Sequence, residues 1–567
     1  MRAPCFVHDE TYGGTEMITL QSPDSTALKL LGRMTGKPGR DYRLTHFLLR
    51  QEVETGVLFF HTLTCELLLL TKNEAENALS NDELRRRGFV VPTDFSEQEF
   101  AASVRRLYRK LNPPTGEITA YSLMTTLGCN ARCFYCFERG LEQSSMSPET
   151  AHQAARFMAE HCGGKQIMIT WFGGEPLCNK RVIDLICDDL AALGVDYQSM
   201  IISNSSLFDE ETAEKAMTLW HLKDLSVTLD GTEEVYNRTK AYVGTKTESP
   251  FYLVLSNIER LLDRGLKVTV RMNVTGENAD DLSDLIDYLH ERFAGRENLK
   301  AYTYLLFELD DADPSCRERV AAKNDLLREK LRRYGMNAWG KPDALPKQIK
   351  LNRCGADSGV FYAVRPDGRL SLCDVSPDAS QVGTLDTGFQ NTKTAALWRE
   401  YNDEQPACKT CPLYPQCLYL KNCTRHRCFE DDMRHQKEEL LLSMEAVYRN
   451  SCEKPAQEPP AKPEMKPVFV PEPRADGDVR IRFYRDFVSE RFGSSYAVIP
   501  MADNTGLFDS LLWVNKAGLA ILEHLKTDIT REALIHALAV QFHAPESAVD
   551  EDVEGFLAQL TKKGMLV

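Results

Sequence analysis

The residues of this chain best suited to chemistry are Cys129, Cys133 and Cys136, a CxxxCxxC run read Cys129-Asn-Ala-Arg-Cys133-Phe-Tyr-Cys136. Such spacing lets one short loop aim three thiolates at a common centre, and soft thiolates select zinc or iron–sulfur clusters. A [4Fe–4S] cube ordinarily takes four cysteines. Three from one loop therefore leave one iron open to a ligand that is not protein. Taken alone, the run also fits a zinc loop or three reduced structural cysteines.

A second array spans Cys354, Cys373, Cys408, Cys411, Cys417, Cys423 and Cys428. This density is too high for packing alone. A zinc ribbon is the simpler alternative, and Cys408-Lys-Thr-Cys411 would fit one.

The elements that must position these groups read as alternating strands and helices. Candidate strands are Ile118–Thr125, Gln166–Trp171, Ser199–Ser203, Leu225–Leu229, Lys267–Asn273 and Lys300–Leu306, with helical patterns such as Pro148–Cys162 and Lys180–Ala192 between them. Repeated βα units imply a parallel sheet flanked by helices. In closed or partly closed versions the reactive groups collect at the C-terminal strand ends. The cysteine loop follows the first strand. Gly173-Gly174-Glu175-Pro176 follows the second, Ser203-Asn204 ends the third, Thr228-Leu-Asp230-Gly ends the fourth, and Arg271 lies in the fifth. Paired glycines permit close approach of backbone to a ligand, and an arginine suits a carboxylate.

Together these residues resemble the radical SAM family. The fold implied by that resemblance is an α/β partial (β/α)6 TIM-like barrel. The same resemblance implies that Cys129, Cys133 and Cys136 hold a [4Fe–4S] cluster whose free iron chelates S-adenosylmethionine, and that reductive cleavage yields a 5′-deoxyadenosyl radical. By the family pattern, Tyr135 packs near the adenine. Gly173, Gly174, Glu175 and Pro176 match the GGEP motif that holds the SAM ammonium, Ser203 and Asn204 are placed to bond ribose hydroxyls, and Thr228 with Asp230 matches SxDG. Arg271 is assigned to the SAM carboxylate. The second array resembles the SPASM extension with two auxiliary [4Fe–4S] clusters, departing from it by five residues rather than three between Cys417 and Cys423. By order, Cys408, Cys411, Cys417 and Cys428 would hold one cluster; Cys354, Cys373 and Cys423 would hold the other, leaving an open iron for a substrate thiolate or Asp374.

The tail carries Pro455, Pro459, Pro460, Pro463, Pro467, Pro471 and Pro473, which mark a stiff linker. Beyond it, strands at Arg480–Tyr484, Tyr496–Pro500 and Leu511–Val514 and helices at Lys516–Leu525, Thr530–His543 and Glu546–Lys563 predict a winged helix without a basic recognition helix. The stretches Ser510–Gly518 and Phe556–Gly564 are similar to the PqqD-like element that takes a leader peptide as an added strand. The expected division is 1–112, a small α+β, winged-helix-like region; 113–310, the barrel; 311–450, the SPASM part; 451–477, the linker; and 478–567, the PqqD-like domain.

Net charge is −15 and 27% of residues are charged, which argues against a nucleic-acid backbone partner. No apolar stretch of 18 residues predicts a membrane span. Seventeen cysteines without an apparent export signal read as metal ligands in a reducing cytoplasm. The resemblance thus implies a maturase of a ribosomally made precursor peptide, served by SAM, three [4Fe–4S] clusters and an external donor such as flavodoxin or ferredoxin. Cys-to-carbon thioether formation is the leading reaction. The alternatives are C–C or C–O crosslinking, epimerisation, or a non-catalytic peptide-binding electron-transfer protein.

Overall fold

The computed structural model describes residues 17–35, 41–113, 116–136, 138–140, 143–244, 247–306, 314–338, 344–352, 354–400, 406–417, 422–423, 430–453, 480–484, 486–501 and 511–566. Cys428 and all seven of the linker prolines lie outside them. Among the described residues no helix is long and apolar enough to cross a membrane.

The N-terminal region holds six strands: β1 (Ile18–Gln21), β2 (Tyr42–Leu44), β3 (Leu48–Val53), β4 (Gly56–His61), β5 (Glu66–Leu70) and β6 (Val90–Pro92). They form an antiparallel sheet ordered β1-β5-β4-β3 and a separate β2-β6 pair. Sequence reading expected two strands between Arg43 and Thr71, and there are four. The missed turn, Thr62 to Cys65, carries no glycine or proline. It closes through Cys65 N–H donating to His61 O at 2.7 Å, with Cys65 itself at φ 58°. The sequence offers Asn81 or Asp82 as the cap of the next helix, and Asn81 provides it: its side chain accepts from Glu83 N and Leu84 N. The helix Glu97–Leu111 ends this region, burying Phe100, Val104, Leu107 and Tyr108 on one face.

The centre is a parallel run of β7 (Ala120–Thr126), β8 (Ile167–Gly173), β9 (Tyr197–Ile202), β10 (Leu222–Thr228), β11 (Lys267–Val274) and β12 (Leu299–Leu305), each within three residues of its expected bounds. Helices occupy the crossovers; Ser147 caps the helix Pro148–His161 by accepting from Thr150 N. This α/β arrangement is consistent with a partial barrel. β7 is not an edge. On its free side it pairs in parallel with β13 (Phe361–Val364), which continues antiparallel into β14 (Arg369–Ser371), β15 (Gln381–Thr384) and β16 (Gly388–Phe389). The first barrel strand is thus sandwiched, and Tyr121 to Thr126 are all buried, as a strand covered on both faces requires. The second cysteine array is thereby joined to the barrel by main-chain ladder.

The C-terminal region pairs β17 (Arg480–Ile481) with β21 (Ile529–Thr530). It also forms an antiparallel sheet of β18 (Phe487–Phe492), β19 (Ser495–Pro500) and β20 (Leu512–Val514), packed on helices Lys516–His524, Arg531–Phe542 and Glu546–Lys562. β18 escaped sequence reading because its alternation is broken by Glu490, a buried acid. That residue is 7% exposed and pairs with both Arg106 and Lys110 of helix 97–111 at 2.7 Å. Lys110 Nζ also donates to Ser489 O at 2.6 Å, and Phe100 packs on Phe492 with ring centroids 5.5 Å apart. The sequence suggested a separate tethered domain; in the structure its sheet is docked on the N-terminal helix.

Candidate active site

The loop after β7 is clamped from two sides. From β8, Gly174 N–H donates to Thr126 O and Glu175 N–H to Gly128 O, each at 2.9 Å. Gly173 sits at φ 117°, where a Cβ would overlap the Thr126 carbonyl oxygen, and a Cβ on Gly174 would stand 2.5 Å from Gly128 O. The close approach that these glycines allow is therefore to the backbone of the cysteine loop, where sequence reading assigned it to a ligand. From the other side, Arg132 N–H donates to Lys240 O at 2.7 Å and Val243 N–H to Asn130 O at 2.8 Å.

Cys129, Cys133 and Cys136 are all half-buried on this loop. Burial pushes the Cys129 thiol up to about 12 and also raises that of Cys136, and Cys133 is close enough to raise both further. Among the described residues no three Cys, His, Asp or Glu side chains already converge at metal-binding distance. The donor set itself fits a soft metal centre: three neighbouring thiols, costly to ionise without a cation.

Glu175 is fully buried. Its Oε1 accepts from Ser203 Oγ at 2.8 Å and Leu177 N at 3.1 Å, and its Oε2 from Asn204 N at 2.8 Å. Burial pushes its carboxyl up to about 7 against the pull of these three donors. Three bonds leave roughly one of four lone-pair positions on the carboxylate. Pro176 is buried, and its carbonyl accepts from Thr125 Oγ1 at 3.1 Å. Ser203 and Asn204, expected at ribose hydroxyls, are engaged within the protein: Ser203 on Glu175, and Asn204 Nδ2 on Asn130 Oδ1 at 2.8 Å.

Tyr135 does not stand alone as an aromatic platform. Its hydroxyl donates to Asp230, and it accepts from Lys240 Nζ at 3.0 Å. Lys240 pairs with Asp230 at 3.1 Å, their side chains being 4% and 1% exposed. Burial works against the Lys240 charge, but Asp230 above all holds it well above the ordinary lysine range. Lys240, the last residue of the helix Glu233–Lys240, belongs to no motif and was missed by sequence reading. Thr228, half-buried, pairs in register with Arg271. Arg271 donates through Nε to Asn273 Oδ1 at 2.9 Å and lies 4.2 Å over the Tyr304 ring.

The second array falls in two places. Cys373 and Cys423 pack against the barrel core, and Cys354 is near enough to Cys373 to raise its thiol, which burial first lifts to about 11. Cys408 and Cys411 pack instead beside helix 97–111. Cys417 lies on the same short loop, Cys417 N–H donating to Leu413 O at 2.9 Å, and Arg105 donates to its carbonyl at 3.2 Å. Asp374 accepts from Ser122 Oγ at 3.1 Å. Near it Glu138, also missed, is raised to about 7 by burial and by Asp374, with Arg365 opposing.

Two family models match. Residues 123–289 match the Radical SAM superfamily, and residues 508–566 match Coenzyme PQQ synthesis protein D (PqqD). An uncharacterized protein of Methanocaldococcus jannaschii is 25% identical over 273 residues, 46% of this chain and 87% of the relative. The radical SAM cyclopropyl synthase TigE of Paramaledivibacter caminithermalis is 26% identical over 198 residues, 31% of this chain but only 40% of that enzyme's length. Among solved structures, native anSMEcpe with bound AdoMet aligns with 59% of this chain and 99% of its own, at TM-score 0.46 and 14% identity.

Proposed function

We propose, for a chain that carries a radical SAM domain and a C-terminal PqqD domain, that it is a maturase of a ribosomally made precursor peptide. The observation that carries this reading is the clamped three-cysteine loop on the same chain as the PqqD-matching region, whose preceding strand β18 is docked on helix 97–111. When bound, the [4Fe–4S] cluster and SAM supply hydrogen-atom abstraction from an unactivated C–H bond, for which no ionic base suffices.

The chain's own residues have defined parts. Cys129, Cys133 and Cys136 hold the cluster. Glu175, with its remaining lone-pair position, takes the SAM ammonium, and Arg271 takes the carboxylate. Ser203 and Asn204 keep Glu175 aimed, while Lys240 and Asp230 fix Tyr135 and with it the loop. Cys354, Cys373 and Cys423 hold one auxiliary cluster; Cys408, Cys411, Cys417 and Cys428 hold the other. The leader adds as a strand at β20, whose pairing among the described strands is to β19 alone, whereas the outer side of β18 is covered by helix 97–111. An external one-electron donor such as flavodoxin or ferredoxin completes the system.

Thioether formation to a peptide cysteine is the favoured reaction, since Cys354, Cys373 and Cys423 number three and leave one iron for a substrate thiolate. C–C bond formation is the second reading, favoured by the likeness to a protein named a cyclopropyl synthase. The test is anaerobic incubation of the reduced holoenzyme with SAM and the peptide encoded beside its gene. A thioether removes two hydrogens and one alkylatable thiol per link. A C–C bond removes two hydrogens and leaves every thiol. Absence of 5′-deoxyadenosine sinks the enzyme reading altogether.

A further inference from the structure

A cavity of about 270 Å³ lies between the cysteine loop and the hairpin that follows β13. Its wall on the loop side is Met124, Leu127 and Glu138; the hairpin side runs from Arg365 to Asp374 and on to Ala379. Among the described residues no cysteine lines it, although Glu138 and Asp374 follow Cys136 and Cys373 closely in sequence.

Its charge is unbalanced. Three carboxylates, Glu138, Asp374 and Asp378, face one guanidinium, Arg365. Arg365 is committed to Asp378 at 2.8 Å, and Arg369 reaches the same oxygen at 3.0 Å. Asp374 accepts from the Ser122 hydroxyl and from the backbone N–H groups of Asp374 and Val375, whereas Glu138 accepts no side-chain hydrogen bond from any described residue. Yet Glu138 is 7% exposed. A buried carboxylate left without a donor is costly. The missing partner is a cation with hydrogen-bond donors, and the apolar wall of Met124 and Leu127 suits an aliphatic stem that carries it.

We propose that this cavity is a subsite for a cationic side chain, lysyl or arginyl, of the peptide that the chain modifies, with Glu138 and Asp374 as its specificity-determining residues. The proposal rests on the peptide-maturase reading above. The stem lies along Met124 and Leu127, and the charged head is shared by the two carboxylates.

The test uses full-length, anaerobically reconstituted holoenzyme with SAM and three blocked pentapeptides, Ac-Gly-Gly-Xaa-Gly-Gly-NH2, where Xaa is lysine, norleucine or glutamate. Calorimetric titration is expected to show the lysine peptide binding at least about tenfold more tightly than the norleucine one, about 1.4 kcal/mol. The preference is expected to fall below about threefold in Glu138→Gln and in Asp374→Asn, by the same conversion. Equal affinities for lysine and norleucine, a preference for glutamate, or no measurable lysine-peptide binding at roughly 10 mM each overturns the subsite. The wild-type comparison needs no variant to fold. Production of 5′-deoxyadenosine by the reduced holoenzyme with the peptide encoded beside its gene is measured in parallel. Its absence strikes the maturase reading, whereas flat specificity in a SAM-cleaving enzyme strikes the subsite alone.

Discussion

Replacing Lys240 by methionine removes one half of a pair that water hardly reaches. The Lys240 ammonium stands 3.1 Å from Asp230 and 3.0 Å from the Tyr135 hydroxyl, with side-chain exposures of 4% for Lys240 and 1% for Asp230. Methionine keeps the stem and deletes the charge, which leaves the buried Asp230 carboxylate without its cation and with only the Tyr135 hydroxyl and the Asn273 N–H as donors. Breaking a buried pair on one side costs about 3–5 kcal/mol. The cost falls on the cysteine loop, because Tyr135 is part of it and Arg132 N–H is bonded to Lys240 O. Amide hydrogen exchange at Arg132 reads local opening of this loop. It is expected to speed up by about two to three and a half orders of magnitude, at about 1.4 kcal/mol per factor of ten. Arg238→Met is the control: that pair with Glu234 is 67% and 90% exposed at 3.5 Å, and its loss is expected to change exchange by about twofold or less. Lys240→Arg retains the charge and recovers most of the protection. The argument is refuted if Lys240→Met moves the exchange rate no further than Arg238→Met does.

Gly174→Ala places a methyl 2.5 Å from Gly128 O; the loop must shift, and iron bound per chain after reconstitution is expected to fall by more than half, as measured by iron assay. Glu175 has a folded-state pKa raised to about 7 from 4.5, so the folded state holds a proton that the unfolded chain has lost between these values. Stability of the SAM-free protein therefore falls as pH rises from about 4.5 through about 7, by about 3 kcal/mol in all. Urea titrations across that range are expected to lose this slope in Glu175→Gln. Double charge reversal, Arg106→Glu with Lys110→Glu, leaves the buried Glu490 facing two like charges; the C-terminal region undocks, and small-angle scattering reads a larger radius of gyration.

What could be read ahead of the structure was local. The thiol spacing, the βα alternation and the cap at Asn81 are properties of a few consecutive residues, and β7 to β12 fell close to their expected bounds. Apart from the Thr62–Cys65 turn, which carries no turn residue to announce it, the misses are matters of distant pairing. Lys240 reads as a favourable charge at a helix end until Asp230 and Tyr135 are brought beneath it. Glu490 reads as a solvated acid until helix 97–111 covers it. Glu138 carries no motif, and its burial comes from a hairpin more than two hundred positions later. The Gly173-Gly174 pair was recognised for the right property but the wrong neighbour, since sequence shows that backbone must come close and not to what. Cys428 and the linker prolines were named ahead of the structure and lie outside the described residues.

Helix 97–111 turns its cations in different directions. Arg105 reaches the carbonyls of Tyr414 and Cys417, Arg109 reaches Leu351 O and Asp357, and Arg106 and Lys110 hold Glu490. These partners are made between 242 and 384 residues later in the chain. During synthesis the helix therefore emerges long before part of its cover: Leu30, Leu31 and Phe47 are already made, but its apolar face, with Phe100 and Val104, still waits for Tyr414, Phe492 and Ile499. A shortened gene product ending before residue 480 would lose Phe492, Ala497 and Ile499 from that face, so trimming the tail to obtain a minimal catalytic piece exposes apolar surface and invites aggregation rather than a tidier enzyme.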